Sequence, residues 1–448
     1  MQRKSSPAIQ LARENISDVT TMADFEPPAW VSGDQRRAAD GSVPQATPPD
    51  PDISAGGDAP DTGAGTTDNT PNDARNELGR ADGQHPDAKR AYAWNAGPSQ
   101  HPTSPHRQAY AAIDLGTNNC RLLIARPSGD HFVVVDAFSR VVRLGEGLSQ
   151  TGRLSDISME RALAALHVCA DKLRKRNVHL ARSVATEACR RATNGAAFIE
   201  RVYEETGIRL DIITAQEEAR LAVLGCHILL EQGEGPAMIF DIGGGSTELV
   251  LVDPQGTVPR IIDWQSVPWG VVSLTESVGP IADSKDARAA AYADMRGQVD
   301  DAFAPFVERI AQARETGVAQ GNIRLLGTSG TVTTLASVYL ELPHYDRNAI
   351  DGLVVPADAM RDISQRMAAM SLAERIALPC IGRERSDLVV AGCAILESIL
   401  DVWPATRLGI ADRGIREGIL RSLMASEGVA ERSRAALRNL RRDRDTHR

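Results

Sequence analysis

A chain of 448 residues, 42% hydrophobic and with a formal net charge of −9, has room for two or three domains. Its acidity argues against nucleic acid as a partner. The lack of any run of about 18 apolar residues argues against a membrane span. The six cysteines (Cys120, Cys169, Cys189, Cys226, Cys380 and Cys393) are scattered without a C-x-x-C pair, which disfavours a structural zinc site and points to a reduced, cytoplasmic setting.

Thirteen of the 24 prolines lie between Pro7 and Pro105, and Asp40 to Asp82 carries nine acidic residues against Arg75 and Arg80. Such a stretch cannot bury enough apolar surface to offset the entropy of ordering it. Residues 1–107 therefore read as a disordered, acidic leader, with Phe25 to Trp30 as a candidate short motif. Met1 to Ser5 is basic, but no apolar run of about 7–15 residues follows, so a signal peptide is not expected.

After Arg107 the texture changes. Tyr110 to Asp114 is a short apolar run ending in an acid, Leu115 to Asn119 turns the chain, and strands over Cys120–Ala125 and His131–Phe138 complete a meander. A helix from about Ser158 to Lys175, a strand at Val178 to Thr186, a helix after Thr193 and a strand at Leu210 to Thr214 follow. Thr214-Ala-Gln-Glu217 reads as a capping box opening a helix with Leu221, Leu224 and Ile228 on one face.

The second half restarts in the same way. Ala237 to Asp241 is a strand ending in an acid, Ile242 to Gly245 the turn, Ser246 to Val252 the return strand and Arg260 to Trp264 the third. Asp114 and Asp241 are 127 positions apart (241 − 114). The rest alternates helices at Asp286–Ala313, Gly330–Leu340, Pro356–Met370, Ser386–Val402 and Arg413–Met424 with strands at Leu325–Gly327 and Arg407–Ile410. The expected fold class is α/β, an actin-like (ribonuclease H-like) duplicated fold with two lobes around a phosphate-binding cleft. Its expected divisions are the leader, lobe I over 108–235, lobe II over 236–425 and a basic C-terminal tail over 426–448.

Three glycine-rich turns end strands: Asp114-Leu-Gly-Thr-Asn118, Asp241-Ile-Gly-Gly-Gly-Ser-Thr-Glu248 and Gly327-Thr-Ser-Gly-Thr331. Glycine lets backbone N–H groups converge on an anion, and the third turn also opens a helix, whose N-terminus favours negative charge. Any one of them alone is more readily an ordinary tight turn; three of matching design, two of them preceded by an aspartate, point to an anion site. Asp114, Asp241 and Glu248 are hard-oxygen ligands suited to Mg²⁺, or else turn-capping carboxylates. Glu217 and Glu218 point about 100° apart on a helix, so if Glu217 serves the cap, Glu218 is free to face a cleft as a general base, although periodicity alone makes it a solvated helix-face glutamate. Arg190 and Arg191 suit a terminal phosphate, or are exposed helix arginines. The seven arginines from Arg432 to Arg448 suit either a polyanion or a solvated helical tail.

Taken together, these motifs with Val184-Ala-Thr-Glu-Ala-Cys-Arg190, Gln216-Glu-Glu-Ala-Arg-Leu221 and Asp412-Arg-Gly-Ile-Arg-Glu-Gly-Ile-Leu420 resemble the Ppx/GppA phosphatase family, exopolyphosphatases and guanosine pentaphosphate phosphohydrolases. The resemblance covers about 310 residues, from the first motif to Leu420. It implies metal-dependent release of orthophosphate from polyphosphate or pppGpp, with Mg²⁺ or Mn²⁺ as cofactor. It also implies Glu218 as the base and Asp241 and Glu248 as a metal-linked acidic pair, with Asp114, the further candidate metal ligand, in the first phosphate loop. Asn118, Arg190, Gly243, Gly244 and Ser246 then fall at phosphate-contacting positions, with Gly327, Ser329, Gly330 and Thr331 in the loop beside them. The first loop departs from the family pattern, reading Thr-Asn-Asn where many members read Ser-Asn-Ser. The helical domains of longer members have no counterpart after Leu420, so neither processive action on long chains nor dimerisation through such domains is expected; a homodimer built otherwise stays open. Two alternatives carry different chemistry: an actin-like ATP-dependent small-molecule kinase, and a non-catalytic sensor of polyphosphate or guanosine tetra- and pentaphosphate.

Overall fold

The computed structural model describes residues 91–94, 108–129, 131–256 and 258–428. The body of the expected leader, its Phe25–Trp30 motif and the arginine-rich tail lie outside the described residues. Lobe I runs through strands β1 (Tyr92–Ala93), β2 (Ala109–Leu115), β3 (Asn119–Ser128) and β4 (His131–Val141), then helices α1 (Leu148–Thr151) and α2 (Asp156–Lys175). It continues with β5 (Val178–Ala185), α3 (Glu187–Arg191), α4 (Gly195–Thr206), β6 (Leu210–Ile212) and α5 (Ala215–Cys226). Its sheet has the order β1-β5-β2-β3-β4, with β6 on β5.

Lobe II repeats the meander as β7 (Ala237–Ile242), β8 (Thr247–Asp253) and β9 (Arg260–Val267), followed by α6 (Val271–Val278) and the 36-residue α7 (Lys285–Gln320). Then come β10 (Arg324–Thr328), α8 (Gly330–Tyr339), α9 (Arg347–Ile350), β11 (Val354–Pro356), α10 (Ala357–Ala369), α11 (Leu372–Ile376), α12 (Val389–Val402) and β12 (Arg407–Ala411). A last helix, α13, covers 415–428. This sheet has the order β11-β12-β10-β7-β8-β9. In both lobes the meander strand whose penultimate residue is an aspartate also pairs in parallel with a later strand: β2 with β5, and β7 with β10. The carboxyl ends of these parallel strands are where open α/β sheets place ligands.

Each lobe has its own apolar core. α2 lies over lobe I's sheet with Leu163, Leu166 and Leu173 inward. α12, buried at 13 of its 14 positions, is the central helix of lobe II. No helix among the described residues is long and apolar enough to cross a membrane.

The chain returns to lobe I at its end. Ile415, Ile419, Leu420 and Leu423 of α13 pack with Tyr110, Leu123, Val184 and Leu221 of lobe I. The contact of α13 with α5 is backbone on backbone: a Cβ on Gly225 would lie 1.9 Å from the Gly414 carbonyl oxygen, and one on Gly418 2.0 Å from that of Leu221.

Two local expectations change. Tyr92–Ala93 falls inside the span expected as leader, yet it pairs antiparallel with Leu180 and Ala181 of β5. There Tyr92 Oη lies 3.1 Å from Ser183 Oγ, and burial pushes the phenol up to about 12. The α5 face also stops short, because the helix ends at Cys226 and leaves Ile228 exposed.

Candidate active site

The site grows from the ends of β2 and β7. Register sets Asp114 opposite Arg121 across β2–β3, and Asp241 opposite Glu248 across β7–β8. The turns that follow face each other closely. A Cβ on Gly244 would lie 2.9 Å from Thr117 Cβ, and one on Gly245 2.6 Å from Thr117 Oγ1, so glycine is what lets the two loops approach. Together with the loop after β10 and the first turn of α5 they enclose a cavity of about 120 Å³. Lobe I lines it with Asp114, Asn118, Asn119, Arg121, Glu187 and Glu218; lobe II contributes Asp241, Gly243, Gly244, Ser246, Glu248, Ser329, Gly330, Thr331 and Arg385.

Local chemistry aims Glu218. Thr214 caps α5 by accepting the Glu217 N–H at 3.2 Å. The Glu217 carboxylate does not return the bond; it accepts from Arg182 Nη2 at 2.8 Å and Arg220 Nε at 2.7 Å, so only half of the expected capping box forms. The next residue faces the cavity, and Glu218 is 7% exposed. Arg190 Nη1 donates to Glu218 Oε2 at 3.1 Å and to the Ile213 carbonyl at 2.8 Å, while its Nε donates to Glu187 Oε2 at 3.0 Å. Glu248 Oε1 accepts from Ser246 Oγ at 2.8 Å and from Ser266 Oγ at 2.9 Å.

Two expected phosphate contacts sit elsewhere. Arg190 does not line the cavity; its guanidinium is engaged by Glu187, Glu218 and Ile213, which makes it the holder of Glu218. Gly327 lies within β10, where a Cβ would come 2.4 Å from the Phe240 ring, so this glycine answers to core packing. The guanidinium groups that do face the cavity are Arg121 and Arg385, and both lie by Gly330. Burial and the nearby Arg121 hold the Arg385 guanidinium below its usual range.

Three cavity-lining atoms, Asp114 Oδ1, Asn118 Oδ1 and Ser329 Oγ, are buried with no hydrogen-bond partner. Native interiors rarely leave such atoms orphaned, so their gathering at one cavity marks a place for a polar ligand. Ser329, with φ of 104°, is one of four non-glycine residues among those described with positive φ, a strained conformation of the kind found at ligand sites.

The acids repel one another. Burial raises Asp114, Glu218, Asp241 and Glu248, taking Asp241 to about 6 and Glu248 to about 7. Glu248 and Asp114 push Glu218 further up, while Arg190 pulls it down; Arg121 pulls down both aspartates.

The sequence model of the Ppx/GppA phosphatase family matches residues 123–427. The chain belongs to this family. Among Ppx/GppA relatives it is similar to Exopolyphosphatase 2 of Mycobacterium tuberculosis, 29% identical over 328 residues that make up 70% of this chain and 98% of that protein. It is also similar to the crystal structure of the Aquifex aeolicus Ppx/GppA family member, with 26% identity, a TM-score of 0.56, and coverage of 71% of this chain and 98% of that one. An exopolyphosphatase structure from Cytophaga hutchinsonii, 23% identical with a TM-score of 0.62, covers 71% of this chain and 98% of its own and shares the fold. The Ppx/GppA fold is thus the actin-like one, with its two lobes duplicated about the cleft.

A divalent cation fits the donor set of this Ppx/GppA cavity. Among the described residues no group of three or more His, Cys, Asp or Glu side chains is gathered closely enough to hold a metal alone. Asp114, however, has an orphaned buried oxygen, and Asp114 raises the neighbouring Asp241. Two carboxylates completed by phosphate oxygens and water are the ordinary Mg²⁺ arrangement.

The acid cluster has a consequence for stability. Asp241 holds its proton up to about pH 6 when folded, whereas the unfolded chain releases it near pH 4. The folded state binds the extra proton in that window, so this group's contribution falls as pH rises through it. Metal-free Asp241→Asn is expected to be more stable than the parent at pH 8 by roughly 2–3 kcal/mol, a margin that shrinks towards pH 4. Urea midpoints at pH 5 and pH 8 check this; a margin unchanged with pH would contradict it.

Proposed function

We propose that this protein hydrolyses the terminal phosphoanhydride of a phosphate chain, inorganic polyphosphate first, and releases orthophosphate. The observation that carries the reading is one cavity that joins two glycine-rich loops, three orphaned polar atoms and a buried, arginine-held glutamate. Relatives named exopolyphosphatase support the choice of substrate. pppGpp presents the same kind of terminal bond and is the second substrate to test.

In this reading the terminal phosphate rests on the backbone of Gly244 and the side chains of Asn118 and Ser329. The expected contacts at Gly243 and Ser246 are engaged inside the loop, the Gly243 N–H by the Ser246 carbonyl at 2.9 Å and the Ser246 hydroxyl by Glu248 at 2.8 Å. Arg121 and Arg385 take the oxygens of the following phosphates. Glu218 removes a proton from water as the new oxygen–phosphorus bond forms, and the bond from phosphorus to the bridging oxygen breaks. The shortened chain leaves with the electron pair of that bond. Mg²⁺ or Mn²⁺ held by Asp114 and Asp241, with Glu248 bonded to neighbouring serines, would neutralise charge on the phosphate oxygens when bound. Arg190 pulls the Glu218 carboxyl down, partly offsetting the burial and the acidic neighbours that raise it.

Because Arg190 lowers the Glu218 carboxyl, Arg190→Gln is expected to move the acid limb of the pH–rate profile to higher pH. An acid limb left in place would show that Arg190 does not control the base. The reading itself is tested by orthophosphate release from long polyphosphate, pppGpp and ATP with Mg²⁺, and again after chelation. Release from polyphosphate or pppGpp that stops on chelation is the expected result. Chain binding without release would leave a sensor, and transfer from ATP to a small acceptor a kinase.

A further inference from the structure

Two contacts join the lobes next to the phosphate loops. Arg143 Nη2 meets Asp387 Oδ2 at 3.2 Å, but both side chains are about one-third exposed (35% and 36%), and such pairs contribute little. The second contact is of another kind. The half-buried Glu276 of α6 accepts the part-buried Gly147 backbone N–H at 2.8 Å on Oε1 and, at the surface, the hydroxyl of the exposed Ser149 on Oε2, so the backbone bond is the one shielded from solvent. A carboxylate taking two such bonds is a charge-assisted clasp.

Both ends of the clasp are tied to a phosphate loop. On the lobe I side, Val142 and Arg143 donate their N–H groups to the Asn118 carbonyl at 2.9 and 3.1 Å, and Gly145 donates to Thr117 O at 2.9 Å. On the lobe II side, the first turn of α6 donates from Val271 N–H to Gly243 O at 3.0 Å and from Val272 N–H to Gly244 O at 2.8 Å. Ser149 and Glu276 are 127 positions apart, the offset that separates Asp114 from Asp241. The clasp therefore joins equivalent positions of the two halves, which in a duplicated, pseudo-symmetric molecule come together only near the axis relating them.

We propose that Glu276 is a positioning residue for the hydrolysis inferred above: by holding Gly147 and Ser149 it sets how closely the two phosphate loops approach, and so the grip on the terminal phosphate. The proposal rests on that functional reading for its kinetic consequence and on the clasp alone for its structural one. Displacements of about 1 Å at a reacting centre cost up to about a hundredfold in rate, so a small opening suffices.

The test uses the full chain with spin labels on unnatural residues at Ile157 of α2 and Val318 of α7, both exposed and one in each lobe. Glu276→Ala is expected to lengthen and broaden the label distance, to lower kcat about tenfold and to raise KM, with the unfolding temperature kept. Glu276→Gln, whose amide oxygen still accepts from Gly147, should recover part of the loss. Ser149→Ala added to Glu276→Ala should cost nothing more. A label distance equal to that of the parent, with kcat and KM within about twofold, would overturn the clasp. If the unmutated protein releases no phosphate, the hydrolase reading fails and the label distance alone decides: lengthening supports the clasp, and no change overturns it.

Discussion

Glu218→Gln is expected to lower phosphate release by roughly 10²–10⁴-fold, the usual contribution of a positioned general base. The amide keeps the acceptor for Arg190 Nη1 and nearly the same volume, so the change removes proton-accepting power and little else. Stability should move the other way. Burial and the nearby Glu248 and Asp114 all disfavour the Glu218 carboxylate, which makes the neutral amide easier to bury. A variant that melts no lower than the parent yet has lost its turnover is the expected outcome. Turnover within about threefold of the parent would remove Glu218 from the role of base.

Gly418→Ala is expected to cost about 3 kcal/mol of stability, the upper end for overpacking, because the new methyl meets backbone rather than a movable side chain. Its Cβ would stand 2.0 Å from the Leu221 carbonyl oxygen, and Leu221 sits in α5, three residues after Glu218. α13 must then move off α5, which opens the apolar seam of Ile415, Ile419 and Leu420 against lobe I. A shift of the denaturant midpoint checks this, with Gly428→Ala, where a methyl would meet nothing within 4 Å, as the control. Equal midpoints for the two variants would contradict the close crossing.

Much of this architecture is legible in the chain. The two strand–Asp–glycine turns repeat at a spacing of 127, and the duplicated architecture and facing loops follow from them, whereas helical periodicity alone leaves Glu218 a solvated residue and only the family resemblance turns it inward. The same spacing held one more signal: Arg121 is the counterpart of Glu248, since 121 + 127 = 248, and the register places each opposite its aspartate. Arg385 carries no such mark, because only the packing of α12's approach against the β10 turn brings it to Gly330. Arg190 illustrates the same limit, its guanidinium engaging Glu187, Glu218 and the Ile213 carbonyl in the structure. Its spacing from the strand is right for a phosphate contact, but whether a guanidinium meets phosphate or carboxylate depends on Glu187 and Glu218, and the chain order does not show which is nearer. Gly327 looks like part of a phosphate loop in one dimension, while Phe240 from the parallel neighbour β7 decides its role in three. Tyr92 and Trp94 sit in a proline-rich, weakly apolar stretch, and only the open edge of β5 makes a strand of their neighbourhood.

The most direct test of the central claim is hydrolysis of polyphosphate in ¹⁸O-enriched water, followed by mass analysis of the released orthophosphate. Attack by water activated at Glu218 on the terminal phosphorus predicts one solvent oxygen in each orthophosphate released. Orthophosphate carrying no solvent oxygen, or terminal phosphate found only on an added acceptor, would contradict it.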